Sequence, residues 1–165
     1  MAENKDQAKQ PKRTEISELG EFGLIDHLTE KIRLRNKSSV KGVGDDAAVI
    51  DNEGWLTVVT SDMLIEGIHF DLMYTPLKHL GYKSIIANLS DVYAMNAHPR
   101  QVIVSIGISN RFSVEAVTEI YEGIYAACDY YGVDLVGGDT TSSNKGLVIS
   151  VTAIGQGEAG KITYR

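Results

Sequence analysis

The chain has 165 residues, 43% of them hydrophobic and 23% charged, with a net charge of −6 at neutral pH. That is enough chain for one domain with a real core and short for two, and the acidic balance excludes a nucleic-acid surface built on bulk positive charge. One cysteine, Cys128, permits no internal disulfide; no apolar run approaches the roughly 18 residues of a membrane span, and no signal-type leader is visible. A cytoplasmic protein is the expectation, with neither nucleic acid nor membrane as partner.

Residues 1–17 (MAENKDQAKQPKRTEIS) are charged and nearly free of large apolar groups. They bury too little surface to offset their ordering entropy, so a disordered tail is expected there. Order is expected over residues 18–165, beginning with a short amphipathic helix. Leu24, Ile25, Leu28 and Ile32 share its apolar face, and His27 lies on the polar side. The stretch VKGVGDDAAVIDNEG follows, with Asp45 and Asp46 adjacent between Gly44 and Ala47. Neighbouring aspartates stay ionised only with water, a cation or strong donors beside them. Taken alone, the pair reads as a charged turn ahead of a strand, since Asp and Gly are turn formers.

Ala47 to Ile50 reads as that strand, Asn52-Glu53-Gly54 as a hairpin turn, and Trp55 to Ser61 alternates as a second strand that delivers Asp62 at its end. A helix is predicted next, with Thr75 as N-cap and Pro76 at the first helical position. Leu77, Leu80, Ile85, Leu89 and Val92 mark its apolar face. Ser84, Asn88 and Asp91 fall at i, i+4 and i+7 and form one polar stripe on a helix that is otherwise apolar. The stripe is expected to be enclosed, and a buried Asp91 then needs partners.

Val102 to Ile108 alternates as a strand. Ser113 caps a helix running to Tyr131, whose core face holds Val117, Ile120, Tyr121, Ile124, Cys128 and Tyr131, and Gly132 follows as its terminating glycine. Leu135-Val136 reads as a short strand ending at Gly137-Gly138-Asp139, and Leu147 to Ile154 as another alternating strand. This order favours an α/β (α+β) domain: a mixed, largely antiparallel sheet with helices packed on one face. The chain stops at Gly160 to Arg165 without a terminal cap and reads as cut off.

The aspartates recur in one setting. Thr60-Ser61-Asp62, Leu89-Ser90-Asp91 and Gly137-Gly138-Asp139-Thr140-Thr141 each follow an apolar run and carry small or hydroxyl neighbours, as the Asp45-Asp46 pair does. Such a set offers hard oxygen ligands, which suit Mg²⁺; zinc is disfavoured, because Cys128 lies on a core face and the histidines are scattered. Several Mg²⁺ ions on spread carboxylates are what a polyphosphate substrate needs. No GxxxxGK[ST] loop occurs, although Gly137-Gly138 lets backbone N–H groups approach a phosphate. Composition and spacing reach Mg²⁺-dependent phosphate chemistry and stop there.

Taken together and in order, GVGDDAAVI, TSDMLIEGIHF, ANLSDVYAMNAHP and GGDTT…VISVTAIG resemble the N-terminal half of the bacterial thiamine-monophosphate kinase family, from about Gly20 to Arg165. That family is grouped with aminoimidazole ribonucleotide synthetase, selenophosphate synthetase and a hydrogenase maturation factor. The resemblance implies a synthetase-like N-terminal domain that binds ATP and Mg²⁺ and forms a homodimer through its strands. It also implies a C-terminal domain that this chain lacks, with ATP at the boundary of the two. The implied reaction moves a phosphoryl group from ATP, the co-substrate, to thiamine monophosphate.

By the same resemblance Asp46, Asp62, Asp91 and Asp139 are Mg²⁺ ligands, Thr60 and Ser61 add oxygens, and Asp45 supports them. Gly138 and Asp139 touch ATP, Arg165 contacts nucleotide phosphate, and His69 of GIHF contacts thiamine phosphate. Tyr121 packs near the adenine, although its core-face position suits a purely structural role equally. One departure is Ser142-Ser143-Asn144-Lys145-Gly146, where the family continues GGDTT with an Arg-Gly pair; Lys145 is the cation offered in its place. The isolated domain is expected to be poorly active. The rival readings are another ATP-using enzyme of the superfamily, or a non-catalytic dimerisation or nucleotide-binding module. Selenophosphate synthetase fits less well, because no cysteine precedes Cys128.

Overall fold

The structure is a computed structural model, and residues 15–165 are described. They divide into two units, residues 15–33 and Leu34–Arg165. The first holds α1 (Ile16–Thr29), opened by a capping box in which Glu15 N–H donates to Glu18 Oε1 at 3.1 Å. Gly20, at φ 67° and ψ −177°, kinks it, and none of its residues is buried. The expected tail lies outside the described residues up to position 14; Ile16 and Ser17 belong to α1. Ile32, expected on the helix, lies beyond its end.

The second unit contains β1 (Ser39–Lys41), β2 (Ala48–Asn52), β3 (Trp55–Ile65), α2 (Leu77–Ala94), β4 (His98–Ile108), α3 (Val114–Tyr131), β5 (Asp134–Ser142) and β6 (Val148–Glu158). The strands form one sheet in the order β1-β2-β3-β6-β4-β5. Every neighbouring pair is antiparallel except β4 and β5, which run parallel and are joined through α3. This is the mixed, largely antiparallel sheet that the order of elements implies.

Alternation decides which face is covered. Val58 and Leu64 of β3, Val102, Val104 and Ile106 of β4, and Ile149, Val151 and Ala153 of β6 are buried. They pack with Leu80, Ile85, Leu89 and Val92 of α2 and Ile120, Ile124 and Ala127 of α3 in one core. The alternate residues, among them Met63, Ile103, Ser105, Ser150 and Thr152, point to the other face, where Met63 is 53% exposed. We call this the open face.

Glycine sets how tightly the helices sit. A Cβ on Gly81 would meet the Ile120 carbonyl oxygen at 1.9 Å, and one on Gly123 would meet that of Lys78 at 1.9 Å. The two glycines face each other where α2 and α3 touch backbone to backbone. Gly155 of β6 gives α2 the same close approach to the sheet, since a Cβ there would lie 2.4 Å from Val92 Cγ1.

Several boundaries differ from the sequence expectation. β3 continues past Ser61, so Asp62 lies within a strand, paired with Val151, and not at its end. β5 runs on through Gly137 to Ser142, because pairing along β4 supplies a hydrogen-bond ladder to residues that locally favour a turn. Pro76 is the cap residue of α2, extended at ψ 138°, and no side chain, Thr75 included, caps that end. In α3 the expectation holds: Ser113 accepts from Ala116 N–H at 3.2 Å, and Gly132 ends the helix in the left-handed conformation.

Candidate functional site

Gly44, at φ 106°, adopts a conformation that L side chains rarely take, and so turns the chain sharply ahead of β2. The turn presents Asp45 and Asp46 to a cavity of about 520 Å³, whose lining includes Thr60, Ser61 and Asp62 of β3, Asp91 of α2, and Arg165.

The two adjacent aspartates have different surroundings. The Asp45 side chain is 1% exposed. It accepts from Arg165 N–H at 3.1 and 3.3 Å and from Asp46 N–H at 3.1 Å, and Lys41 Nζ stands 3.5 Å away. Burial alone would raise its pKa. The Arg165 and Asp46 N–H groups and the Lys41 ammonium outweigh it and hold the carboxyl below its ordinary value. Asp45 is therefore spent on the turn. Asp46 looks into the cavity, where the Arg165 guanidinium pairs with its Oδ1.

Asp91 lies on the far wall, half-buried, and its Oδ2 accepts from Thr60 Oγ1 at 3.1 Å. Burial pushes its pKa up. The Thr60 hydroxyl and Arg165 oppose that, while the negative charges of Asp62 and Asp46 add to it. Asp62 shares the covered face of β3 with Thr60, two residues away. Its N–H donates to Asn88 Oδ1 of α2 at 3.0 Å. The stripe of α2 is enclosed as expected, with Ser84 and Asn88 fully buried.

Three of the four aspartates thus share one cavity, with Thr60 beside them. Ser61 lines the same cavity, but its hydroxyl points to the open face, 3.0 Å from Thr152 Oγ1 and 3.2 Å from the Val151 carbonyl oxygen. Asp139 is elsewhere. Asp62, Val151, Val104 and Gly138 are successive partners across β3, β6, β4 and β5. Asp139 therefore lies about 14 Å from Asp62, at roughly 4.8 Å per strand. It also sits on the open face, paired with Ser105. The expected four-carboxylate cluster is not assembled within one chain.

Asp139 instead meets Gly138 and Tyr121 of the expected nucleotide residues, while Arg165 lines the carboxylate cavity. With Tyr121, Gly137, Gly138 and Thr140 it lines a cavity of about 450 Å³ beside β5. Tyr121 also packs against the core, with its ring 5.9 Å from that of Tyr125. Gly138 has a structural reason to be glycine, since a Cβ would meet the Val104 carbonyl oxygen at 1.8 Å; Gly137 has open space around it. His69 lies beyond β3, exposed, and does not line the carboxylate cavity. Its Nδ1 accepts from Ile65 N–H at 3.0 Å, which leaves Nε2 to carry the proton.

Sequence reasoning passed over two groups at the carboxylate site. Lys41 was not singled out, and only its spacing of four from Asp45 hinted at a pair. Asn88 was read as part of the stripe, but its grip on the Asp62 backbone depends on which strand α2 crosses.

The donors fit a hard cation. The side-chain oxygens at the cavity are carboxylates and hydroxyls, Arg165 supplies positive charge at Asp46, and the pKa of Asp91 is raised first by burial and further by the charges of Asp62 and Asp46. Among the described residues, no three His, Cys, Asp or Glu side chains form a metal-holding group. The carboxylates line one chamber without converging on a single centre.

Residues 44–156 match the family described as AIR synthase related protein, N-terminal domain. The thiamine-monophosphate kinase of Bacillus subtilis is 34% identical over 148 residues, 89% of this chain and 45% of that protein. That of Corynebacterium glutamicum is 39% identical over 143 residues, 86% of this chain and 41% of that protein. The chain thus spans a little under half the length of these curated relatives. A solved structure of AaThiL complexed with AMPPCP and TMP superposes with a TM-score of 0.78 at 34% identity, over 88% of this chain and 45% of that one. A structure from Thermus thermophilus shares the fold, with a TM-score of 0.77 at 22% identity, over 88% of this chain and 46% of that one. By sequence match and by fold, this chain belongs to the AIR synthase related family, as its N-terminal domain.

Proposed function

We propose that the chain is the Mg²⁺- and nucleotide-binding part of an ATP:thiamine-monophosphate phosphotransferase that forms thiamine diphosphate in the cytoplasm. The observation that carries this is the chamber in which Asp46, Asp62 and Asp91 stand together, with Thr60 and Arg165 beside them. It gains weight from the relatives' names and from the AaThiL structure with an ATP analogue and TMP. Mg²⁺ ions bound there neutralise charge on the phosphoryl group passing from ATP to the acceptor phosphate.

The chain's own residues hold and orient. Asp46, Asp62 and Asp91 carry the cations, Thr60 orients Asp91, and Asp45 fixes the turn that aims Asp46. Arg165, paired here with Asp46, would be released toward nucleotide phosphate if a cation were bound at that carboxylate. Gly138 and Asp139, beside Tyr121, receive the nucleotide, and His69 offers Nε2–H to the acceptor's phosphate. A phosphate acceptor is already ionised near neutral pH, so transfer is in line and needs no strong general base.

The homodimer expected from the alternating strands packs through the open face of the sheet and covers Met63 and Ile103. A coupled assay tests the reaction. The complete gene product, supplied with ATP, thiamine monophosphate and Mg²⁺, should release thiamine diphosphate, and a folded protein that makes none refutes the proposal.

A further inference from the structure

Asn88 belongs to the polar stripe of α2, and the roles given above leave it without a task. It is 0% exposed. Its Nδ2 donates to the Ser84 carbonyl oxygen at 3.1 Å, and its Oδ1 accepts Asp62 N–H at 3.0 Å. The amide is thereby oriented, because its donor end is committed within α2 and its acceptor end faces β3.

β2 ends opposite Val59, so from Thr60 onward β3 has β6 on one side and no strand on the other. Along this stretch the contacts from α2 hold β3 in addition to its pairing with β6. Asp91 sits three residues further along α2, and Thr60 two residues back along β3, joined at 3.1 Å. The two hydrogen bonds are rungs between the same helix and strand, and together they fix one against the other.

We infer that Asn88 is a positioning residue for the metal site: by holding the Asp62 backbone to α2 it sets the Asp62 carboxylate opposite that of Asp91. This rests on the reading that Asp62 and Asp91 carry Mg²⁺. A volume-matched apolar side chain at 88 removes the Asp62 N–H to Asn88 bond and lets this part of β3 shift against α2. Divalent-cation affinity falls as a result, although Asn88 contacts no cation.

The experiment uses the complete gene product and two readouts, the Mg²⁺ concentration for half-maximal binding of AMPPCP and the melting temperature. Asn88→Leu should raise the half-saturating Mg²⁺ concentration tenfold or more. Ser84→Ala is the structural control; it is equally buried, and its hydroxyl bonds only Gly81 of its own helix. It should lower the melting temperature and leave the Mg²⁺ dependence alone. Asn88→Asp keeps an acceptor for the Asp62 N–H, so it should fall within threefold of the native protein. A folded Asn88→Leu protein with native Mg²⁺ dependence overturns the inference. If Asn88→Leu does not fold, Asn88→Asp decides, and a tenfold shift there counts against it. Asp62→Asn separates the two levels. If that change leaves Mg²⁺ dependence unmoved, the metal reading itself fails; if it shifts while Asn88→Leu does not, only the role of Asn88 fails.

Discussion

Replacing Gly123 with alanine places a methyl group 1.9 Å from the Lys78 carbonyl oxygen and 2.8 Å from Tyr82 N, where ordinary contact begins at 3.4 Å. The obstructing atoms are backbone and cannot rotate aside, so α2 and α3 must part by about 1.5 Å. Overpacking of this kind costs about 1–3 kcal/mol, and contact with main chain belongs at the upper end. Alanine returns about 1 kcal/mol of helix propensity, which leaves a net loss of about 2 kcal/mol. For a chain of this length that lowers the melting temperature by roughly 4–8 °C. The damage should reach the chamber as well. If α2 takes even half of the displacement, the 3.0 Å bond from Asp62 N–H to Asn88 passes the ~3.6 Å at which it ceases to be a hydrogen bond. Thermal unfolding by circular dichroism reads the first effect, and Mg²⁺-dependent nucleotide binding reads the second. Gly137→Ala, with open space around its Cβ, should melt within about 2 °C of the native protein. A Gly123→Ala protein that melts at or above the native temperature would refute the reasoning.

Asp62→Asn should weaken Mg²⁺-dependent nucleotide binding while the fold survives, and unchanged affinity in calorimetry would remove Asp62 from the ligand set. Asp91 has a raised pKa when folded, so its ionisation works against folding; the penalty is absent at low pH and grows as pH rises through the folded value. Asp91→Asn should therefore raise the melting temperature of the metal-free protein by roughly a few degrees at neutral pH while removing Mg²⁺-dependent binding, and a fall in melting temperature contradicts this. Asp45 is the reverse case, since its lowered pKa gives stability that is present above the unfolded value of about 3.9 and lost as pH falls through the folded one. Asp45→Asn should abolish that part of the acid dependence, and an unchanged acid-unfolding curve would argue otherwise. Sedimentation should show a dimer at micromolar concentration, and Met63→Lys on the open face should shift it toward monomer; a native protein that sediments only as monomer would exclude that interface.

Period-2 and helical patterns were legible wherever one face is buried. The alternation of Val102 to Ile108 and the Ser113 and Gly132 punctuation of α3 placed those elements, and the resemblance supplied the family. What stayed hidden depended on distant partners. Gly137-Gly138-Asp139-Thr140-Thr141 has turn composition, and only the parallel ladder on β4 makes it strand. Alternation likewise gives the parity of a residue within its own strand and says nothing of strand order. Asp62 and Asp139 each follow an apolar run and look alike in sequence. The crossover through α3 puts β5 at the far edge, and the register turns Asp139 to the opposite face. The pairing of Gly81 with Gly123 was invisible for the same reason, since neither glycine marks a turn.

The early end of β2 has a consequence outside catalysis. Beyond Val59 one side of β3 is a bare strand edge, the kind of surface on which unrelated chains add strands and aggregate. Here the edge is occupied by groups from its own chain. His69 takes the N–H of Ile65, and the carboxylates of Asp46, Asp62 and Asp91 surround the approach with negative charge. The residues that prepare the chamber for cations also make it a poor template for another strand, so solubility and cation binding would be lost together if this edge were neutralised.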